Sequence, residues 1–284
     1  MDEWRIPVGE WAEEAIDWLQ AALGPFFDLI RETLLGAYNQ LSSLLNLPPA
    51  WVMIVLLGLL GLLVRGWLFG LLGAAALLLI ELMEQWQHAM QTLALVIVAV
   101  VVATVLAIPI GIAAARSRIV SNTVKPALDF MQTMPPLVYL IPAVVIFRVG
   151  VVPGVIATII FAMPPGIRLT ELGIRQVDPE VVEAGHAFGS SPGSILRQIQ
   201  LPLALPTIMA GVNQVIMLAL SMVVLAGFVG GPGLGQEVLS AISRLDVGLG
   251  VEAGLSVVIL AIYLDRMTAS LGRRSSVTRL VRAA

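Results

Sequence analysis

Few side chains in these 284 residues can take part in chemistry: 58% of the chain is apolar and 12% is charged. A polar island runs from Asp178 to Pro202, DPEVVEAGHAFGSSPGSILRQIQLP, between long apolar runs. Asp178 can cap a helix, and Pro179 suits the first helical position, where its missing N–H costs nothing. Val181, Gly185 and Phe188 then share one face at helical spacing, and Gly189 can stop the helix. The signals repeat at once, with Ser191 as cap, Pro192 at the first position, and a turn or two ending before Pro202. The prediction is a compact knob of two short helices joined at a glycine corner. On this pattern alone, a plain helical connector reads the same way.

Other candidate chemistry is thin. The glycine-rich stretch FVGGPGLG, headed by Phe228 and ending at Gly235, lacks both a following Lys-Ser/Thr and a preceding strand. It is therefore no phosphate-cradling loop, and reads instead as a flexible span end or an external gate. No other stretch carries a nucleotide-binding signature, so any ATP hydrolysis has to occur on another polypeptide. His88 and His186 lack ligand spacing, and no metal site is expected. No arrangement of serine, histidine and carboxylate suggests a triad, so the chain does not read as an enzyme. Asp129, Glu171 and Asp265 all fall near predicted span ends. An ion-coupled transporter would more often place an ionisable group in mid-membrane and show paired broken helices. Asn213, Gln214 and Ser221 sit on an otherwise apolar helix, where they can line a polar route or bond neighbouring helices. Met131, Met134 and Tyr139, beside a proline cluster, can form a soft constriction in a pathway or simply fill a core.

The elements that must position these groups are apolar runs long enough to span a bilayer. The expected fold is an all-α membrane protein, a multi-span helical bundle. Residues 1 to 46 form an amphipathic prelude, with Trp4, Val8, Trp11, Ala15, Trp18 and Ala22 on one face and Glu10, Glu13, Glu14 and Asp17 around much of the rest. After Gly24-Pro25, a second amphipathic stretch carries Phe26, Phe27, Ile30, Leu34, Tyr38, Leu41 and Leu45; both stretches suit a membrane interface or packing against the protein's own spans. From Trp51 to Leu82 the apolar run would reach about 48 Å as one helix, with Arg65 near its middle. A charge there is costly, so residues 47 to 85 read as two short spans with Arg65 at the turn.

Further spans follow at Leu93–Ala115, Pro126–Phe147 with three prolines, Val151–Ile167 ending at Pro164-Pro165, and Leu203–Val229. After a polar loop, the last runs from about Gly250 to Tyr263. The total is about seven spans, which sets the termini on opposite sides of the membrane. With the knob in the cytoplasm, Arg65, Arg116, Arg118, Lys125, Arg168, Arg175, Arg197, Arg266, Arg273, Arg274, Arg279 and Arg282 lie inside. Only Arg5, Arg31, Arg148 and Arg244 lie outside, which is the asymmetry of the positive-inside rule. The N-terminus is then external, and residues 271 to 284 form a basic cytoplasmic tail. A net charge of −3 gives no reason to expect nucleic acid, and the absence of cysteine excludes disulfides.

Glu183-Ala184-Gly185, Gly189, Ile199 and Leu201-Pro202 fit E-A-A-x-x-x-G-x(9)-I-x-L-P, and so resemble the cytoplasmic signature of ABC importer permeases, with Gly185 in place of the second alanine. That glycine keeps the face small and weakens the helix by about 1 kcal/mol relative to alanine. From about Trp86 to Arg274 the chain resembles the permease subunit of bacterial glycine betaine/proline betaine ABC importers. The resemblance rests on LDFMQTMPPLVYLIP, VPGVIATIIFAMPPGIRLT, QLPLALPTIMAGVNQ, LALSMVV and ISRLDVGLG. It implies a permease core of the type I importer kind over residues 86 to 270. Within residues 178 to 202, Glu183, Ala184, Gly185, His186, Phe188, Gly189, Ser191 and Pro192 would form a coupling helix seated on an ATPase. It also implies a homodimer in a bacterial inner membrane, two ATP-binding subunits that carry ATP and magnesium, and an external binding protein. No segment for that protein follows Arg274, so it is expected as a separate chain. The substrates implied are small quaternary amines. The rival class is an ATP-independent channel or secondary transporter.

Overall fold

The computed structural model describes residues 7–273, and side chains through Ser270. Trp4, Arg5 and the basic tail from Arg274 onward lie outside the described residues. Three long helices form the centre: α4 (Trp86–Arg116), α7 (Val151–Arg175) and α10 (Leu201–Ala226). They approach closely because small residues line the seams. A Cβ on Gly166 would stand 3.0 Å from both the Ala107 Cβ and a Val215 methyl, where the three helices meet. Gly111 lies against Ile167 and Thr170, so α4 and α7 run parallel; Gly173 lies against Ala204 and Thr207, and Gly154 against Ala226, so α10 runs antiparallel to α7. In a lipid solvent such close contact, rather than exclusion of water, drives helix association.

Around this centre lie α1 (Val8–Asn46), α2 (Ala50–Arg65), α3 (Trp67–Leu82), α5 (Arg118–Thr133), α6 (Pro136–Phe147), α8 (Pro179–Ala187), α9 (Pro192–Ile195), α11 (Leu234–Arg244) and α12 (Val247–Arg273). Helix α1 is interrupted at Leu23, just before Pro25, as its sequence suggests. Its second half packs inward. Leu34 and Tyr38 join the main core, Phe27 meets Phe147 edge-on at 5.7 Å, and the Gln20 side chain donates 2.7 Å to the Val145 carbonyl. Trp11 and Trp18 remain 58% and 68% exposed, as an interfacial face would be.

Among the described residues, four helical stretches are long and apolar enough to cross a membrane, or up to six if each of two bent pairs counts as one span, where the sequence led to an expectation of about seven. The differences have local causes. The expected span Pro126–Phe147 is two helices bent by 101°. Met134, ahead of Pro135-Pro136, is forced into extended geometry at φ −70°, ψ 136°. The stretch 51–82 is indeed a hairpin turning at Arg65-Gly66, with Gly58 against Ala74 and Gly70 against Leu62, but each arm has only 16 residues. Helix α7 does not end at Pro164-Pro165; it runs through both prolines to Arg175. The polar loop expected after Gly235 is largely α11, and the last helix begins near Val247 rather than Gly250. Leu234, Val238, Ala241 and Leu245 have the spacing that could have revealed α11.

The glycine-rich stretch is packed rather than flexible. Added Cβ atoms would stand 2.5 Å from the Gly235 carbonyl carbon at Gly227, and 2.6 Å from the Val223 oxygen at Gly235. The segment is tied down by the Leu234 N–H donating 2.8 Å to Thr92 Oγ1 and the Gly150 N–H donating 2.8 Å to the Val229 carbonyl.

Candidate coupling knob and the charged clasp above it

Local chemistry builds the knob as the spacing predicts. The Asp178 carboxylate accepts from the Glu180 N–H at 2.9 Å, and Ser191 Oγ accepts from the Ser194 N–H at 3.3 Å. Both caps are followed by proline at the helix start. Gly189 takes φ +78°, the left-handed corner that stops α8, and the Ser190 N–H closes on the Gly185 carbonyl at 3.1 Å.

Gly185 is buried at the inner face of α8, with its missing Cβ 2.8 Å from Ile199 Cδ1 and 3.3 Å from Ile195 Cγ1. Val182, not Val181, shares that inner position and packs with Ile174, Val177 and Leu196. The expected single face of Val181, Gly185 and Phe188 is therefore split: Val181 is 42% and Phe188 90% exposed. The nine-residue helix turns through Gly189 before Phe188 can reach the inner side. Glu183, Ala184, His186, Gly189, Ser191 and Pro192 are also exposed, so the knob presents a mixed polar and apolar outer surface.

The second knob helix does not end before Pro202. A π-helical turn, Leu196–Gln200, joins α9 to α10 without a break, the Leu201 N–H donating to the Leu196 carbonyl. Proline at 202 has no N–H and its ring crowds the carbonyl four residues back; the wider turn makes room for it. Beside the knob, a cleft of about 460 Å³ opens between Arg116, at the end of α4, and Ser191, Ser194 and Arg197.

Just above the knob lies an ionic cluster that the sequence did not announce. The Glu171 side chain is only 9% exposed and lies 2.9 Å from the Arg175 guanidinium and 3.7 Å from Lys125 Nζ. Ser121 Oγ donates to it at 2.8 Å, and Arg175 also donates 2.8 Å to the Ala114 carbonyl. One buried carboxylate thus clasps α4, α5 and α7 together. A second pair, Arg168 with Asp129, joins α7 to α5 nearer the surface.

The remaining predicted residues fall into two groups. Tyr139 donates its hydroxyl to the Met131 carbonyl, and Met134 packs against Tyr139 with Phe161 and Met222, so these three share the α5–α6 bend. Asn213 faces elsewhere. Its amide donates 3.0 Å to Asp265 and its carbonyl accepts 2.8 Å from Thr268, bonding α10 to α12. Ser221, one helical face away, donates to its own helix at Met217 and lines a groove beside α12. Phe228 stands half-exposed in the short 3₁₀ turn Gly227–Val229. Among the described residues no cluster of His, Cys, Asp and Glu has the arrangement of a metal site.

Residues 107–277, more than half of the chain, match the family described as "Binding-protein-dependent transport system inner membrane component". The chain belongs to this family. The permease is 48% identical over 267 residues to the glycine betaine transport system permease protein OpuAB of Bacillus subtilis, covering 93% of this chain and 94% of that one. It is 47% identical over 270 residues to the glycine betaine/proline betaine transport system permease protein ProW of Escherichia coli, covering 95% and 76%. Its fold is also that of a chain in the inward-facing MetNI methionine ABC transporter, with TM-score 0.55 at 23% identity over 68% of this chain and 92% of that one. The signature residues from Glu183 to Pro202 lie within the family match.

Proposed function

We propose that this permease is the membrane-spanning subunit of an ATP-driven importer for small quaternary amines of the glycine betaine class. The observation that carries the reading is the exposed knob, stiffly continuous with α10, in a chain 46–48% identical to permeases named for glycine betaine. Two copies pair in the inner membrane, each seating its knob on an ATP-binding subunit that holds ATP and magnesium. A separate binding protein delivers substrate from outside. The knob and the C-terminus face the cytoplasm and the N-terminus the exterior, a reading supported by the distribution of Arg and Lys.

In this mechanism, closure of the ATP-loaded ATPase pair pushes on α8. Phe188, the most exposed large apolar side chain of the knob, supplies an anchor for a pocket on that partner, and Glu183, His186, Ser191 and Pro192 surround it. The inward side of Gly185 locks α8 onto Ile195 and Ile199, so the push passes into α10 and α7 rather than being absorbed. At the α5–α6 bend, Met131, Met134 and Tyr139 form the constriction that opens, while Phe228 borders the far gate. Asn213 bonds α12 and serves its alignment, while Ser221 lines the groove beside α12.

Co-purification and reconstitution test the reading. The permease is expressed with its candidate ATPase and binding protein, then placed in liposomes with labelled glycine betaine. Uptake that requires both ATP and the binding protein is expected. Flux without ATP, or no ATPase bound to the permease, would establish the channel or secondary-transporter class instead.

A further inference from the structure

A groove of about 320 Å³ runs between α3 and α12, at the end of the molecule where α2 turns into α3. Its wall is an aromatic column: Phe69 stacks on Tyr263 with centroids 5.8 Å apart and planes 19° from parallel, and the Arg65 guanidinium lies 5.5 Å over Phe69. Tyr263 is fixed from behind, its hydroxyl donating 2.7 Å to the Leu57 carbonyl. Arg65 is fixed as well, donating 3.3 Å to the Arg266 carbonyl, and both residues line the groove, Arg266 also bordering the neighbouring groove toward α10. Among the described residues, no carboxylate lies within ion-pair distance of Arg65. Arg266 has one carboxylate neighbour, Asp265 at 3.7 Å, and that carboxylate is already shared with Asn213. The mouth of the groove therefore carries net positive charge, while the rest of its lining, Leu72, Gly73, Ala76, Ile259 and Ile262, is apolar.

An ordinary snorkelling arginine would turn away to solvent. Here two arginines flank one end of an apolar slot between helices, and basic pockets of this kind bind acidic lipid headgroups. We propose that this groove binds an anionic phospholipid, its phosphate held between Arg65 and Arg266 and one acyl chain laid along Leu72, Ala76 and Ile262. The ligand commits to a lipid rather than a free anion because the polar contacts occupy only the mouth. A bound lipid would add to the contacts that already tie the α2–α3 hairpin to α12: Gly73 and Phe69 against Tyr263, Tyr263 to the Leu57 carbonyl, and Arg65 to the Arg266 carbonyl.

The test is native mass spectrometry of the full chain released from nanodiscs of mixed phosphatidylglycerol and phosphatidylethanolamine. Retained phosphatidylglycerol should exceed its bulk share, and each of Arg65→Gln and Arg266→Gln should lower that preference by roughly fivefold. The Arg65→Lys/Arg266→Lys double variant should keep most of it, which separates lost charge from a disturbed fold. Equal retention of the two lipids, or an unchanged preference in the double glutamine variant, would overturn the proposal. So would displacement of the lipid by millimolar inorganic phosphate, or crosslinking through position 262 to a second copy.

Discussion

Ile199 Cδ1 stands 2.8 Å from the point where a Cβ on Gly185 would lie, so one methyl end sets the distance between the two arms of the knob. The offending atom is the tip of a flexible side chain, whereas the nearest Ile195 atom is 3.3 Å away and more confined. Gly185→Ala should therefore be tolerated, the gain of about 1 kcal/mol in helix propensity offsetting a small repacking. Gly185→Leu cannot be absorbed and should push α8 off Ile195. In reconstituted liposomes the alanine variant is expected to import at close to the normal rate, and the leucine variant to hydrolyse ATP with little uptake.

The corner at Gly189 gives a second prediction. At φ +78° an L residue is strained by about 1–2 kcal/mol, and a β-branched one by more. Gly189→Val should misdirect α9 and uncouple hydrolysis from transport while leaving the protein inserted. Gly189→Asn, which visits this conformation readily, should retain most uptake. Normal coupling in the valine variant would remove the corner from the transmission path.

Removing the Glu171 carboxylate leaves Arg175 and Lys125, 37% and 54% exposed, without their shared partner. Glu171→Ala should destabilise the permease by about 2 kcal/mol, through the lost charge-assisted hydrogen bonds, because both cations it leaves behind reach solvent. Ser121→Ala, which deletes one charge-assisted hydrogen bond, should cost about 1.5 kcal/mol. Thermal unfolding in detergent would read both, and equal, small shifts would mean the clasp is loosely solvated.

Asn213 distinguishes two roles open to polar groups in a membrane helix. Because both ends of its amide are engaged by α12, Asn213→Ala should lower stability by about 0.6 kcal/mol, the typical worth of an interhelical hydrogen bond. The substrate concentration giving half-maximal uptake should not move. A shifted half-maximum with unchanged stability would return Asn213 to the pathway.

What could be read from the sequence was what neighbouring residues decide. The knob was legible because Asp178, Pro179, Gly189, Ser191 and Pro192 each act on backbone within a turn of themselves. The hairpin at Arg65 followed from the cost of one charge. The Glu171 clasp was not legible, since Ser121 lies 50 positions away and the Ala114 carbonyl meets Arg175 across 61. The tightness of Gly227 against Gly235 was hidden for a related reason: glycines that admit another backbone and glycines that merely bend look alike until the partner is known. The break at Met134 had a local signal, two prolines in succession, that the strong apolar run around it obscured.

The wide turn between α9 and α10 has a mechanical corollary. A π-turn holds one residue more than an α-turn over about the same rotation, so Leu196–Gln200 carries its extra residue without changing which azimuth of α10 faces its neighbours. Excising Gln198 would close the turn to the α width and bring the Pro202 ring against the carbonyl four residues back, so the shaft would kink at its base. Torque applied below would then bend that joint instead of turning the helices above.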